Sequence, residues 1–111
     1  MKEPLVEPSV LAELSDAMGA DFAEELVATF LNDAPNMMGE LKQAAETEDA
    51  HAYRRAAHSI KSNAEVFGAF ALANMARHME QSGLAGADSP VDELVAIYEA
   101  TRSVLQGMLD D

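Results

Sequence analysis

Histidine is the side chain whose ordinary titration falls near neutral pH, and its neutral imidazole is a competent nucleophile there. Of the three histidines in this chain, His58 has the most suggestive neighbours. Lys61 follows it by three residues and Ser62 by four, and Arg54 and Arg55 precede it by four and three. On a helix, residues three and four apart lie side by side. Three of the seven basic residues therefore cluster around one imidazole, on a chain whose net charge is −13. One chemistry open to an exposed imidazole among cations is phosphoryl carriage. The imidazole attacks phosphorus and holds the group as a phosphoramidate. Cations meet the added negative charge, with Lys61 best placed. A small residue at Ser62 leaves room for a second protein to approach in line. Two plainer readings stand beside this one: His58 as a solvated surface histidine, and Arg54 and Arg55 as partners of Glu48 or Asp49.

The site needs a helix to hold it, and the chain reads as helical throughout. Alanine, leucine, methionine and glutamate dominate. A short helix is expected from after Ser9 to near Gly19, and a second from the weak capping pair Asp21 and Glu24. The second carries the stripe Phe22, Leu26, Phe30, Met37 and Leu41, with a kink or short break expected at Pro35. Asp49 caps a third helix that ends at Gly68. A fourth runs from about Ala69 to Gln81, carries Leu72, Met75 and Met79, and stops at Gly83. Ser89-Pro90 with Asp92 and Glu93 starts a fifth, whose stripe is Leu94, Ile97, Tyr98, Thr101, Leu105 and Met108. At about 100° per residue, Tyr53, Ala56, Ala57, Ile60, Ala64 and Phe67 share one side of the third helix and face the core. His58 points roughly 150° away, into solvent. His51, Arg54, Arg55, Ser62 and Glu65 share that exposed face, with Lys61 on its flank.

Composition bounds the rest. At 111 residues the chain is expected to form one domain, 1–111, with a core from about 11 to 109. Amphipathic helices joined by short turns predict an all-α bundle. No apolar run is long enough to span a membrane, and the N-terminus shows no secretory signal. With no cysteine, disulfides and thiolate metal sites are excluded. The strong negative charge argues against nucleic acid and anionic membrane surfaces as partners. No glycine-rich phosphate loop is present, so the chain is expected neither to bind nor to hydrolyse ATP. Glu48 and His51 imitate one ligand pair of a di-iron bundle, but such sites need two, so no metal is expected. His78 reads as a flank residue. The methionines read as core, with Met18 or Met38 as candidates to edge a docking surface.

The segment A-H-S-I-K-S-N-A-E-V-F-G-A from Ala57 to Ala69 resembles the histidine-containing phosphotransfer (HPt) domain family. The resemblance extends from about Leu11 to Leu109 and is most specific between Tyr53 and Gly68. It implies an antiparallel up-down-up-down four-helix bundle with a short additional N-terminal helix. It implies that His58 is the phosphorylated residue and Lys61 the phosphate-stabilising lysine, with Ser62 at a small position that is often glycine and Gly68 as the turn glycine. Glu80 falls where several family members have glutamine or glutamate near the imidazole; it either orients His58 or is an ordinary surface residue. Glu65, one turn further along the His58 face, either opposes phosphorylation or helps select a partner.

The function implied is that of a phosphorelay intermediate exchanging the group with aspartates of receiver domains. It would be a carrier rather than a stand-alone enzyme. The expected partners are response-regulator receiver domains and a hybrid histidine kinase. The chain would need no cofactor of its own, Mg²⁺ being in the receiver, and would act as a cytoplasmic monomer. The alternative is a non-catalytic helical interaction module that has lost phosphotransfer, but the chain has kept His58, Lys61 and a small residue at Ser62. The sequence fits a free-standing protein and reads equally as a segment of a larger kinase.

Overall fold

The computed structural model describes residues 5–83 and 91–110, the last two by backbone alone. Five helices follow one another: α1 (Pro8–Met18), α2 (Ala20–Glu46), α3 (Ala50–Val66), α4 (Phe70–Ser82) and α5 (Val91–Asp110). No strand occurs among the described residues. Helices α2 to α5 form the bundle, with packed neighbours α2–α3, α3–α4, α4–α5 and α2–α5, so α3 and α5 lie diagonally opposite. Helix α1 packs on α2.

The helix ends follow local chemistry. The Asp49 side chain caps α3, accepting from the Ala52 N–H at 3.1 Å. Gly83, at φ +70°, closes α4 with its N–H on the Met79 carbonyl. The start of α2 departs from the expected capping pair. Gly19, at φ +98°, is the N-cap, and no side chain caps this end. Helix α1 begins at Pro8, where a proline ring fits the first turn because the missing N–H has no helical partner there. Pro35 does not break α2, which runs without interruption from Ala20 to Glu46. The proline itself is exposed, and water is at hand for a carbonyl it leaves without a donor. The expected start signal at Ser89-Pro90 lies outside the described residues.

The core is built from the inward stripes. All six residues assigned to the inner face of α3 are buried, Ala57, Ile60 and Ala64 completely. On α2 the buried stripe is Ala23, Val27, Phe30, Ala34, Met38, Leu41 and Ala44. Phe22 instead stays exposed, and Met38 is a core residue rather than an edge of any docking surface. Phe30 joins the layers, its ring 5.3 Å from Phe67 and 6.2 Å from Tyr98. The core also reaches further back than Leu11, since Val6 is buried in it. Gly68 makes that possible. It has φ +73°, and a Cβ there would lie 2.8 Å from the Val10 Cβ. The vacant space lets the N-terminal segment close in, with the Glu7 N–H donating to the Gly68 carbonyl at 2.9 Å.

Helices α3 and α4 form the most extensively packed pair. Buried alanines line both, Ala56, Ala57 and Ala64 on one and Ala73 and Ala76 on the other. Small side chains allow two helix backbones to approach closely. That approach carries the polar rims of α3 and α4 within reach of each other, and the candidate site sits on this rim.

Candidate functional site

His58 leaves α3 on the solvent side, its side chain 57% exposed. Its Nδ1 lies 2.7 Å from Glu80 Oε2, across the α3–α4 seam. The other oxygen of the same carboxylate, Oε1, is 3.0 Å from Lys61 Nζ. Glu80 therefore bridges the two residues that the sequence had placed beside each other on α3. The hydrogen bond from Lys61 holds the Glu80 carboxyl below its ordinary value of 4.5, assisted by the bond to His58 and opposed by partial burial. The carboxylate is thus ionised at neutral pH and can only accept. Nδ1 must then carry the proton of the neutral ring, which leaves the lone pair on Nε2. An exposed imidazole with its proton fixed on the inner nitrogen presents a nucleophile outward.

The remaining predicted residues sort into those that join this centre and those that do not. Ser62 is exposed one turn beyond His58, and Glu65 is exposed further along. Glu65 borders a shallow depression with Phe70, Asn74 and Arg77 of α4. Arg54 and Arg55 each have surroundings of their own. A Cβ on Gly83 would lie 2.8 Å from Arg54 Nη2, so the glycine makes room for the guanidinium at the end of α4. The carbonyls at a helix C-terminus favour a cation there. Arg55 borders a polar hollow with Glu40, Gln43 and Thr47. Neither arginine forms an ion pair with Glu48 or Asp49; the ion pairs among the described residues are those of Glu80. His51 and His78 are exposed.

Two features of the site were not legible in the sequence. The Lys61–Glu80 ion pair joins two helices, so the periodicity of neither helix signals it. The seat of Arg54 on Gly83 is likewise a contact between helices, at a glycine whose sequence context signals only a helix stop. The Glu80–Gly83 spacing, one turn, matching the Arg54–His58 turn on an antiparallel helix was the available signal.

The Hpt domain family model matches residues 25–110. This chain belongs to the Hpt family. It is a phosphorelay intermediate, a protein that passes a phosphoryl group by way of a histidine. Among solved structures it is similar to the crystal structure of histidine-containing phosphotransfer protein B (HptB) from Pseudomonas aeruginosa PAO1. The two are 28% identical with a TM-score of 0.79, over 98% of this chain and 94% of that one. No curated protein sequence matches the chain. As in any HPt domain, the working partners are receiver domains and kinases of a phosphorelay. Among the described residues of this HPt domain, no helix is long and apolar enough to cross a membrane.

Proposed function

We propose that His58 carries the phosphoryl group and that Nε2 is the atom that bears it. The observation that carries this reading is the Glu80 bridge, with His58 Nδ1 at 2.7 Å and Lys61 Nζ at 3.0 Å from one carboxylate. In the forward step, Nε2 attacks the phosphorus of an aspartyl phosphate on a receiver domain. The N–P bond forms as the P–O bond to the aspartate breaks, and the aspartate leaves as a carboxylate. The ring gains positive charge with its proton still on Nδ1, where Glu80 stabilises it. Lys61 is within reach to turn from Glu80 toward the new phosphoryl oxygens. The reverse step returns the group to the same or another receiver. Mg²⁺ would be held at the receiver's aspartate site. Exposure of His58 and the small Ser62 give the partner its access.

The chain is proposed to work as a cytoplasmic monomer between receiver domains, with a hybrid histidine kinase upstream. It acts as a carrier that neither binds nor hydrolyses ATP. The test is transfer from a panel of phosphorylated receivers to the wild type and to His58→Gln. The wild type should take label that is lost on acid treatment, and His58→Gln should take none while keeping its helicity. Acid-stable label would point to a hydroxyl such as that of the half-buried Ser59. Label surviving in His58→Gln would also refute the assignment.

A further inference from the structure

A second surface lies away from His58. An open groove of about 290 Å³ is floored by Leu11 and Ala12 of α1, Ala23 and Val27 of α2, and Leu105 and Met108 of α5. Helix α5 is diagonal to α3 in the bundle, so the groove does not share the face that presents the imidazole. Large apolar side chains remain exposed on the same segments: Met18 and Phe22 at the α1–α2 junction, and Val104 and Met108 near the end of α5. Isolated apolar side chains on a surface need no explanation, whereas a group of them around an apolar groove marks an interaction site.

The charge around the groove specifies its occupant. Between Lys2 and Lys42 the chain has no lysine or arginine. Glu13, Asp16, Asp21, Glu24 and Glu25 are all exposed on α1 and the start of α2, and Glu24 lines the groove. Arg102, on α5, is the one cation on α1, the first half of α2 and α5. Such a rim repels a second copy of a chain with net charge −13 and repels nucleic acid and anionic lipid equally. It attracts a segment that combines cations with apolar anchors.

We infer that this groove docks a basic amphipathic helix of a partner protein, independently of the phosphotransfer site. The apolar anchors of that helix, spaced three and four residues apart, enter between α1, α2 and α5. Its lysines or arginines meet the acidic rim. The surface would hold a partner while the His58 face is engaged by a receiver.

The test uses the full chain and a labelled helical peptide of about 16 residues, with leucines at the i, i+3, i+4 and i+7 positions and lysines elsewhere. A second peptide replaces the leucines by serine. The leucine peptide should bind one to one, and amide resonances of Leu11, Val27 and Leu105 should shift. Ala12→Gln, which puts a long polar side chain into the groove from an exposed helix position, should weaken binding about tenfold. Asp21→Asn with Glu24→Gln should weaken it mainly at low salt. Transfer at His58 should proceed unchanged with the peptide bound. Equal affinity for the serine peptide, or binding undiminished by Ala12→Gln, would reduce the effect to diffuse charge attraction and overturn the proposal. Concentration-dependent dimerisation abolished by Ala12→Gln would overturn it in favour of a second copy.

Discussion

Replacing Glu80 by glutamine separates the two jobs the carboxylate performs. Glutamine keeps the size of the side chain but offers one accepting oxygen, and its NH₂ group faces whichever donor is left, His58 or Lys61. One charge-assisted hydrogen bond is lost and the other weakens. All three side chains are partly exposed, His58 most and Lys61 least, so each contact contributes about 0–1 kcal/mol to folding. The fold should lose about 1 kcal/mol, or about 3–6 °C in Tm for a domain of this size. The effect on transfer should be larger. The ring becomes cationic as the N–P bond forms, and a hydrogen bond to a charged group contributes about 1.5–3 kcal/mol when shielded. Exposure places His58 at the low end, so transfer should slow about tenfold. The loss should fall in kcat rather than KM, because Glu80 sits behind the imidazole. Nitrogen-15 spectra of the His58 ring supply an independent readout: the proton resides on Nδ1 in the wild type and in Lys61→Ala, and is redistributed in Glu80→Gln. The pH dependence has a fixed sign. A carboxyl held below its ordinary 4.5 stabilises the fold above that pH and ceases to as pH falls through the lowered value. The Tm gap between wild type and Glu80→Gln is therefore open at neutral pH and closes on acidification below 4.5. A wild-type transfer rate in Glu80→Gln, with an unchanged ring spectrum, would refute the orienting role.

Three further perturbations test other parts of the structure. Ser62→Gly should transfer normally at a stability cost of about 0.5–1 kcal/mol, whereas Ser62→Gln should melt near the wild type yet transfer more slowly, because misplacement by about 1 Å disrupts in-line attack; equal rates for serine and glutamine would show that the receiver approaches from the Arg54 side. Tyr98 is buried with a hydroxyl that finds no partner among the described residues, and burial pushes its phenol up; Tyr98→Phe should stabilise the fold by about 1 kcal/mol in denaturant titration, and a destabilised variant would contradict the unpaired assignment. Gly68→Ala combines φ +73° with a clash against Val10 and should cost about 1–3 kcal/mol, with hydrogen exchange rising first at Glu7 and Val10; uniform protection in this variant would mean that the N-terminal segment is not held by the close approach.

The helices, the inner face of α3 and the outward aim of His58 are legible along the chain. These follow from a period that each helix carries along its own length. The stripe Tyr53, Ala56, Ala57, Ile60, Ala64 and Phe67 is buried as the helical period requires, and the opposite arc is exposed for the same reason. The inward stripe of α2 was less legible, because Ala23, Ala34 and Ala44 carry little apolar weight yet lie where neighbouring helices cross. Phe22 shows the converse, a large ring left outside because the α1–α2 junction offers it no second layer. The relations between helices arise only in the packed fold. Periodicity fixes an angle around one axis and says nothing about which rim of α4 meets which rim of α3. The packing of buried alanines on both helices sets that register, and it turns Glu80 from one acidic residue among many into the group that holds His58 and Lys61 together. In the same way, the glycines at 68 and 83 read as stops in the chain. In the fold, the space each leaves is filled by a distant residue, Val10 at one and Arg54 at the other.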